Sequence, residues 1–487
     1  MPGDQFLHGI EVIEINEGIR PIRTVPSSII GLIGTAPDAD DTKFPYDTPI
    51  LVAGNRREAA WLGEKGTLPY AMDGIFDHAG AMVIVVRVPD NERSGIVGHR
   101  GDGILANLRD RVGNSDGSLL GRLRDDNDGD SDRRSRNRIK SIRDRINERR
   151  SGRDRDGIIA RLTHRLGSFW DQNGLGGSSQ VSSQVISNII GGVDPKTGKN
   201  LGVQCFLDAK SKTGLEPKIL IAPGYTQEEA VVSEMLGIAD RLRAVIIADG
   251  PNTNDEDAIK YRENFGSARV FIVDPWVTVW DTIADHETAE PASARVAGII
   301  AKSDNERGFW WSPSNREFYG TTGTYRNIDF ALGDYNSRAN YLNSNDVATI
   351  IRQDGYRLWG NRTCSSDPRW AFLSVRRTGD MIAESIMTSS LWAIDRNITK
   401  TFVEEVTGSV NAYLRNLYSQ GAILGGRCYA NPELNTPDQL MQGIIYFDYD
   451  FTAPPPAEHI IFRAHNVDDY YSNIFVSDTV AVTGVNT

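Results

Sequence analysis

A multidomain α/β protein is predicted by three observations. Strand-length apolar runs alternate with amphipathic helical stretches, the runs are continuous rather than alternating with polar residues, and 487 residues are too many for one simple core. Strands alternating with helices imply a mostly parallel sheet joined by right-handed crossovers. The pattern divides into an N-terminal arm over 1–27, an α/β body over 28–90 and 181–343, an inserted Arg/Asp-rich helical module over 91–180, a C-terminal α+β domain over 344–464, and a C-terminal arm over 465–487.

The first arm contains Ile10-Glu11-Val12-Ile13-Glu14-Ile15, which mixes apolar and acidic residues as a strand does, before Pro21 and Pro26 interrupt the chain. A terminal strand either edges its own sheet or adds to a neighbour's through main-chain hydrogen bonds, and the residues alone favour the first. In the body, Ser28–Ala36, Pro49–Val52 and Met82–Val88 read as strands buried on both faces, with short helices over 55–63 and 69–77 between them. Strands are then predicted at Lys218–Ala222, Ala244–Gly250 and Arg269–Asp274, and helices over 227–243, 255–265 and 292–303. Residues 304–340 read as loop. Helices follow over 378–395 and 399–419, the second carrying Phe402, Val403, Val406, Val410, Leu414 and Leu417 as one stripe. A strand over 443–451 ends at Pro454-Pro455-Pro456, a further strand is expected at His459–Ala464, and the tail begins at Val467.

The net charge of −12 does not favour nucleic-acid binding by the whole chain. Residues 91–175 nevertheless hold 19 Lys+Arg against 14 Asp+Glu, a basic module in an acidic body. Four segments there, near 102–112, 116–126, 138–146 and 156–166, place apolar residues at helical spacing beside Arg/Asp faces. The preferred reading is a small helical insertion; the alternative is a partly disordered charged loop. The 3 widely spaced cysteines, Cys205, Cys364 and Cys428, argue against a disulfide framework and fit a reducing compartment. There is no apolar run of about 18 residues for a membrane span, and Met1-Pro2-Gly3-Asp4 does not open a secretion signal.

The stretch Asp354–Pro368 packs two aromatics, two arginines, two glycines and an Asp-Pro turn into a short space. Ala348–Arg352 and Tyr356–Trp359 flank the Asp354-Gly355 turn signal, so a hairpin followed by a structural loop is expected. The sharper alternative makes Arg357 and Arg362 buried pairing residues at a domain junction, since guanidinium forks suit desolvated carboxylates. This stretch, with Asp354, Tyr356, Arg357, Trp359, Asn361, Arg362 and Asp367, resembles the signature of contractile-tail sheath proteins of myophages. His8–Gly18 with Arg20, Lys218–Tyr225, Tyr261–Phe265, Leu391–Asp395 and Phe447–Thr452 before the triple proline also fall in that family's order. The resemblance spans roughly residues 5–90 and 181–475; residues 91–180 depart from it.

Catalytic chemistry is harder to find. Gly192–Asn200 is loosely similar to a phosphate loop but has one residue too many between its glycines and Asn200 where Ser/Thr binds magnesium, so it reads as a turn. Asp125–Asp130 suggests a calcium loop, yet its first and twelfth positions would be Arg124 and Ser135. There is no H-E-x-x-H pair, paired-cysteine zinc site or G-x-S-x-G elbow. Asp249, Asp274 and Pro223-Gly224 sit at strand ends, where an α/β enzyme would bind ligand but where Asp is also ordinary turn chemistry.

The resemblance implies a non-enzymatic structural subunit without cofactor or metal. It would polymerise as stacked hexameric rings around a tail tube protein, engage baseplate and tail terminator proteins, and neither bind nucleic acid nor insert directly into a membrane. It would be assembled in the host cytoplasm and reside in the virion tail. It also reverses the preference for the first arm. Ile10, Val12, Ile13 and Ile15, with Val476, Val480 and Val482, would pair between subunits with a receiving strand that includes Ile444, Ile445, Tyr446, Phe447, Tyr449 and Phe451. The alternatives are a nucleotide- or sugar-phosphate-binding α/β enzyme, and a sheath from a phage-tail-like bacteriocin or injection system.

Overall fold

A computed structural model describes residues 20–90, 183–282 and 285–475. The arm residues Ile10, Val12, Ile13, Ile15, Val476, Val480 and Val482 and the charged module 91–180 lie outside the described residues.

The chain forms β1 (Ile30–Thr35), β2 (Pro49–Ala53), α1 (Arg56–Ala59), α2 (Thr67–Phe76) and β3 (Met82–Val88) before the undescribed segment. After it come α3 (Ser183–Ile190), β4 (Gly192–Val193), β5 (Asn200–Leu201), α4 (Ala209–Thr213), β6 (Ile219–Ile221), α5 (Glu229–Leu242), β7 (Val245–Asp249), α6 (Asp255–Glu263) and β8 (Val270–Val273). Then follow β9 (Val277–Asp281), β10 (His286–Glu290), α7 (Ser293–Arg307), β11 (Gly323–Thr324), α8 (Arg338–Ser344), β12 (Val347–Arg352) and β13 (Tyr356–Trp359). The C-terminal part holds α9 (Leu373–Ser389), α10 (Lys400–Ser419), β14 (Gly425–Ala430), α11 (Pro437–Met441) and β15 (Phe447–Thr452).

The main sheet has the order β13-β12-β8-β7-β6-β1-β3-β2. Its six inner strands are parallel, and β2 and β13 add antiparallel at the two edges. Period-two alternation sends successive residues to opposite faces. Ile30, Leu32, Ile219, Ile221, Val245, Ile247 and Phe271 face α2 and α7. Ile33, Leu220, Ile246, Val270 and Ile272 face the other way, against α3, α5 and α6. Both faces are therefore covered, which is why these strands read as unbroken apolar runs. Gly31 is required by closeness: a Cβ there would lie 2.8 Å from Leu220 and 2.9 Å from Pro217.

The segment 192–200 is a hairpin turn, as its residues suggest. Asp194 accepts bonds from the Lys196 N–H and the Thr197 hydroxyl, and Gly198 takes a positive φ. The hairpin expected at Asp354-Gly355 is present, with φ of 50° and 98° at the turn. A separate core lies under α10, where Phe402, Val406, Val410, Leu414 and Leu417 are buried and Val403 is only half-buried. Thr399 caps α10 by accepting from the Phe402 N–H.

Several expectations are corrected. A boundary at 343/344 would cut the main sheet, because β12 pairs with β8 and carries β13 with it. Residues 304–340 are not all loop: α7 runs to Arg307, and β11 joins β9 and β10 in a three-stranded sheet. Helix α9 starts at Leu373 and ends at Ser389, shorter at its end and longer at its start than read from the sequence. Ile444, Ile445 and Tyr446 precede β15 rather than belonging to it. Gly443 (φ 76°) turns the chain after α11, and the Ile444 and Tyr446 N–H groups bond to Gln439 and Asn435 instead of a strand. His459–Ala464 forms no strand: it is exposed, with Phe462 91% accessible, and finds no ladder partner among the described residues.

Phe271 is wholly buried on the inner strand β8. Phe271→Ala should lower unfolding free energy by about 3–5 kcal/mol in urea titration, since it removes a large side chain that the close-packed layers cannot collapse to fill.

Candidate functional site

The stretch around which the sequence is organised is a joint. Tyr356 and Leu358 pack on the body core. Arg357 donates to Glu317 at 2.8 Å and to the Gln353 carbonyl, so it braces the hairpin from the surface. Trp359 meets Phe330 edge-on. Gly360 (φ 128°) passes so close to β12 that a Cβ would sit 2.7 Å from Ala348. The Asn361 carbonyl then accepts from Leu373 N–H, Cys364 N–H donates to the Val270 carbonyl, and Asp367 caps the 3-10 turn Pro368–Trp370. Arg362 grips Glu458 with both arms of its fork, at 2.6 to 3.0 Å. Neither Arg357 nor Arg362 is a buried pairing residue; both pairs are partly exposed, Arg357 lying on the edge strand β13 and Arg362 in the segment that follows it.

The buried arginines are others, Arg87, Arg295 and Arg377, and the last belongs to a group of charge pairs gathered along α9. Arg377 donates to both oxygens of Asp304 on α7, at 2.7 and 2.5 Å, and both side chains are nearly inaccessible. Arg269 and Arg376 both hold Asp380, and Glu384 lies 3.7 Å from Lys218 and 3.6 Å from Arg243. Arg376, Asp380 and Glu384 are spaced by four, which places them on one helical face. That spacing is legible in the sequence, but a helix beginning at 378 omits Arg376 and Arg377, which the structure places in its first turns.

The N-terminal segment is tied to the same joint. The Ser27 hydroxyl donates to Asp304, and its carbonyl accepts from Arg377 at 3.0 Å. The Val25 N–H donates to Ser385 of α9, Thr24 and Tyr413 share a hydroxyl contact, and Arg20 stacks on Trp392. Ile22 and Val25 pack on the C-terminal core. Residues 20–28 thus lie across the C-terminal domain before the chain enters β1.

The strand-end aspartates are consumed internally. Asp249 accepts from the Ser293 N–H and hydroxyl and from Thr226. Asp274 pairs with Arg326 and accepts from Asn252 N–H. Beside them, Thr67, Tyr70, Pro223 and Glu290 line a cavity of about 20 Å³, room for one water. Burial pushes the thiols up, to about 12 for Cys205 and Cys364 and about 11 for Cys428, away from the range of a thiolate nucleophile. Among the described residues no cluster of His, Cys, Asp or Glu could hold a metal ion, and no helix is long and apolar enough to cross a membrane.

Comparison with known proteins gives this joint its context. Residues 199–364 match the phage tail sheath protein central domain, 365–466 the phage tail sheath C-terminal domain, and 27–88 the N-terminal region of tail sheath protein Gp18 domain III. A protein of Pseudomonas aeruginosa strain UCBPP-PA14 named as a prophage major tail sheath protein is 48% identical, over 96% of this chain and 98% of its own. The tail sheath protein of Escherichia phage P2 is 30% identical, over 97% and 98%. This chain belongs to the phage tail sheath family.

The fold agrees. The contracted helical sheath of the anti-feeding prophage superposes with a TM-score of 0.57 at 17% identity, over 95% of this chain and all (100%) of that one. The contracted sheath of the PVC extracellular contractile injection system gives 0.55 at 15% identity. The two larger sheath matches meet between Cys364 and Ser365, inside the joint.

Removing one member of a buried pair strands the other. Arg377→Ala should cost about 3–5 kcal/mol of stability, against about 0–1 kcal/mol for Arg362→Ala, whose pair is exposed. Parallel urea titrations check the contrast. Burial raises the Asp249 carboxyl to about 6, against the pull of its hydrogen bonds. Because the folded value lies above the unfolded one, about 3.9, its contribution is full at low pH and is lost as pH rises through about 6. Asp249→Asn should therefore gain on the parent chain as pH climbs from about 4 to about 6 and hold that gain above it, as read from urea midpoints across pH.

Proposed function

We propose that this sheath subunit polymerises as stacked hexameric rings around a tail tube and contracts to drive the tube through a host envelope. The observation that carries the reading is family membership over nearly the whole chain, together with a fold shared with helical contractile sheaths. The partners are other copies of this chain, a tail tube protein, and baseplate and tail terminator proteins. The assembly is part of a virion tail.

Subunits are linked by their ends. Ile10, Val12, Ile13 and Ile15 of one copy, and Val476, Val480 and Val482 of another, add as strands to the β14–β15 ribbon of a neighbour, on the side of Phe447, Tyr449 and Phe451. Two features support this. Residues 20–28 are anchored by Ser27, Val25 and Arg20, so the chain before them starts from a fixed point on the C-terminal domain. The β14–β15 ribbon has only two strands, which is marginal alone and gains from added strands. Contraction then moves rigid bodies, held at the α9 joint, to a lower-energy packing while the end strands keep copies connected. The energy comes from buried contacts summed over many copies, so no nucleotide enters. The sequence relatives from phages favour a virion tail over a phage-like injection machine. The α/β enzyme reading is weakened because the strand-end carboxylates Asp249 and Asp274 are already taken up by Ser293, Thr226, Arg326 and Asn252.

Negative-stain electron microscopy of concentrated purified protein should show long hollow cylinders with regular transverse striations. Deleting residues 1–19 or 476–487, which spares the anchored segment, should leave small soluble particles. A full-length chain that stays monomeric or dimeric under all assembly conditions overturns the reading.

A further inference from the structure

The two edges of the β14–β15 ribbon are not equivalent. Register pairs Cys428 with Tyr449 and Arg427 with Asp450. Asn431 N–H bonds to the Tyr446 carbonyl, which makes that pair a hydrogen-bonded one. Bonded and non-bonded pairs alternate in an antiparallel ladder, so Cys428 and Tyr449 turn their main-chain groups away from each other, to opposite outer edges. On the β14 edge, Asn411 of α10 meets them. Its Oδ1 accepts from Cys428 N–H at 2.8 Å, and its Nδ2 donates to the Cys428 carbonyl at 2.8 Å. A side-chain amide carries one acceptor and a donor group in the geometry of a peptide, so Asn411 occupies the position that a third strand would take. On the β15 edge, the same parity turns out the main-chain groups of Phe447, Tyr449 and Phe451, and among the described residues no side chain or loop bonds to them.

We infer that Asn411 closes the β14 edge and so determines that an end strand of a second copy adds only beside β15. The inference rests on the strand-addition reading above and adds which edge is used and what enforces it. A ribbon with two open edges would accept strands on either side and branch, or pair edge to edge with another ribbon. A ribbon with one open edge gives each junction a single geometry, which a helical assembly with one repeat requires. Asn411 can do this at little cost, since it satisfies two main-chain groups that an uncovered edge would leave to water. Tertiary position makes it a specificity-determining residue: α10 runs beside β14 and brings the amide level with Cys428.

Hydrogen–deuterium exchange on the full-length chain and on the deletion of residues 1–19 tests this, with Asn411→Leu and Asn411→Asp as variants. Asp is isosteric and keeps the acceptor for Cys428 N–H while losing the donor. In unassembled subunits the Cys428 amide should be protected and the Tyr449 and Phe451 amides should exchange freely. Assembly should slow Tyr449 and Phe451 and leave Cys428 unchanged. Asn411→Leu should speed Cys428 exchange in the unassembled subunit about tenfold, the equivalent of one lost hydrogen bond. On concentration it should give branched or irregular particles, with Asn411→Asp between the two. Free exchange at Cys428 in the parent subunit, or regular cylinders from Asn411→Leu with unchanged protection at both edges, overturns the assignment. If cylinders form while Tyr449 and Phe451 stay free, strand addition itself fails, whatever Asn411 does. Circular dichroism separates misfolding of Asn411→Leu from misassembly, and Asn411→Asp keeps the edge testable if the leucine variant does not fold.

Discussion

Asp304 has almost no contact with water, and its charge is tolerable only because Arg377 lies against both of its oxygens. A carboxylate in that setting cannot be left alone, so α7 of the body and α9 of the C-terminal domain are fixed to one another by necessity rather than by preference. Ser27 joins the same pair through its hydroxyl and its carbonyl, which brings the N-terminal segment to the joint as well. Asp380 and Glu384, one and two turns further along α9, repeat the arrangement with Arg269, Arg376, Lys218 and Arg243. Such a joint is stiff because every partner is already committed, and a subunit that moves as a rigid body needs that stiffness.

The ends of the subunit follow the opposite logic. The β14–β15 ribbon is the smallest sheet that can present an edge, and it is steadied by packing on the α10 core rather than by further strands. Past the triple proline the chain is held at Glu458 by Arg362, and beyond that point Ile460, Ile461 and Phe462 are exposed. An ion pair at the surface contributes little to stability, but it fixes where the bound segment ends. The body is thus closed by buried charge and apolar layers, while main-chain hydrogen-bonding groups stay available at its periphery. A structural polymer requires that division, and the occupied carboxylates at the sheet's strand ends fit it better than they fit ligand binding.

Much of the fold was legible. Ile30–Thr35 and Met82–Val88 read as doubly covered strands because nothing polar interrupts them. The α10 stripe has helical spacing, and Asp354-Gly355 carries the residues that a turn with positive φ demands. The ion network of the joint was not legible. Asp304 and Arg377 are 73 positions apart, Arg269 and Asp380 are 111 apart, and a charged residue in a sequence looks the same whether its partner is a protein group or water. The arginines that stood out, Arg357 and Arg362, stood out through their neighbours in sequence, and these say nothing of burial. Ile444, Ile445 and Tyr446 read as strand because they are apolar and β-branched or aromatic, but competition from the turn after α11 decided otherwise.

The sequence by itself determined the class of the protein. Apolar periodicity dictates the layers, and the blocks shared with sheath proteins carry the family, because both are properties of local residue order. Only the tertiary structure decided that the main sheet continues through β13, that α9 is the joint, and which edge of the C-terminal ribbon is covered. Each of these depends on groups distant in the chain meeting where water is excluded, and the strength of a charge pair or a main-chain hydrogen bond is set by that exclusion rather than by the identity of the residues that make it.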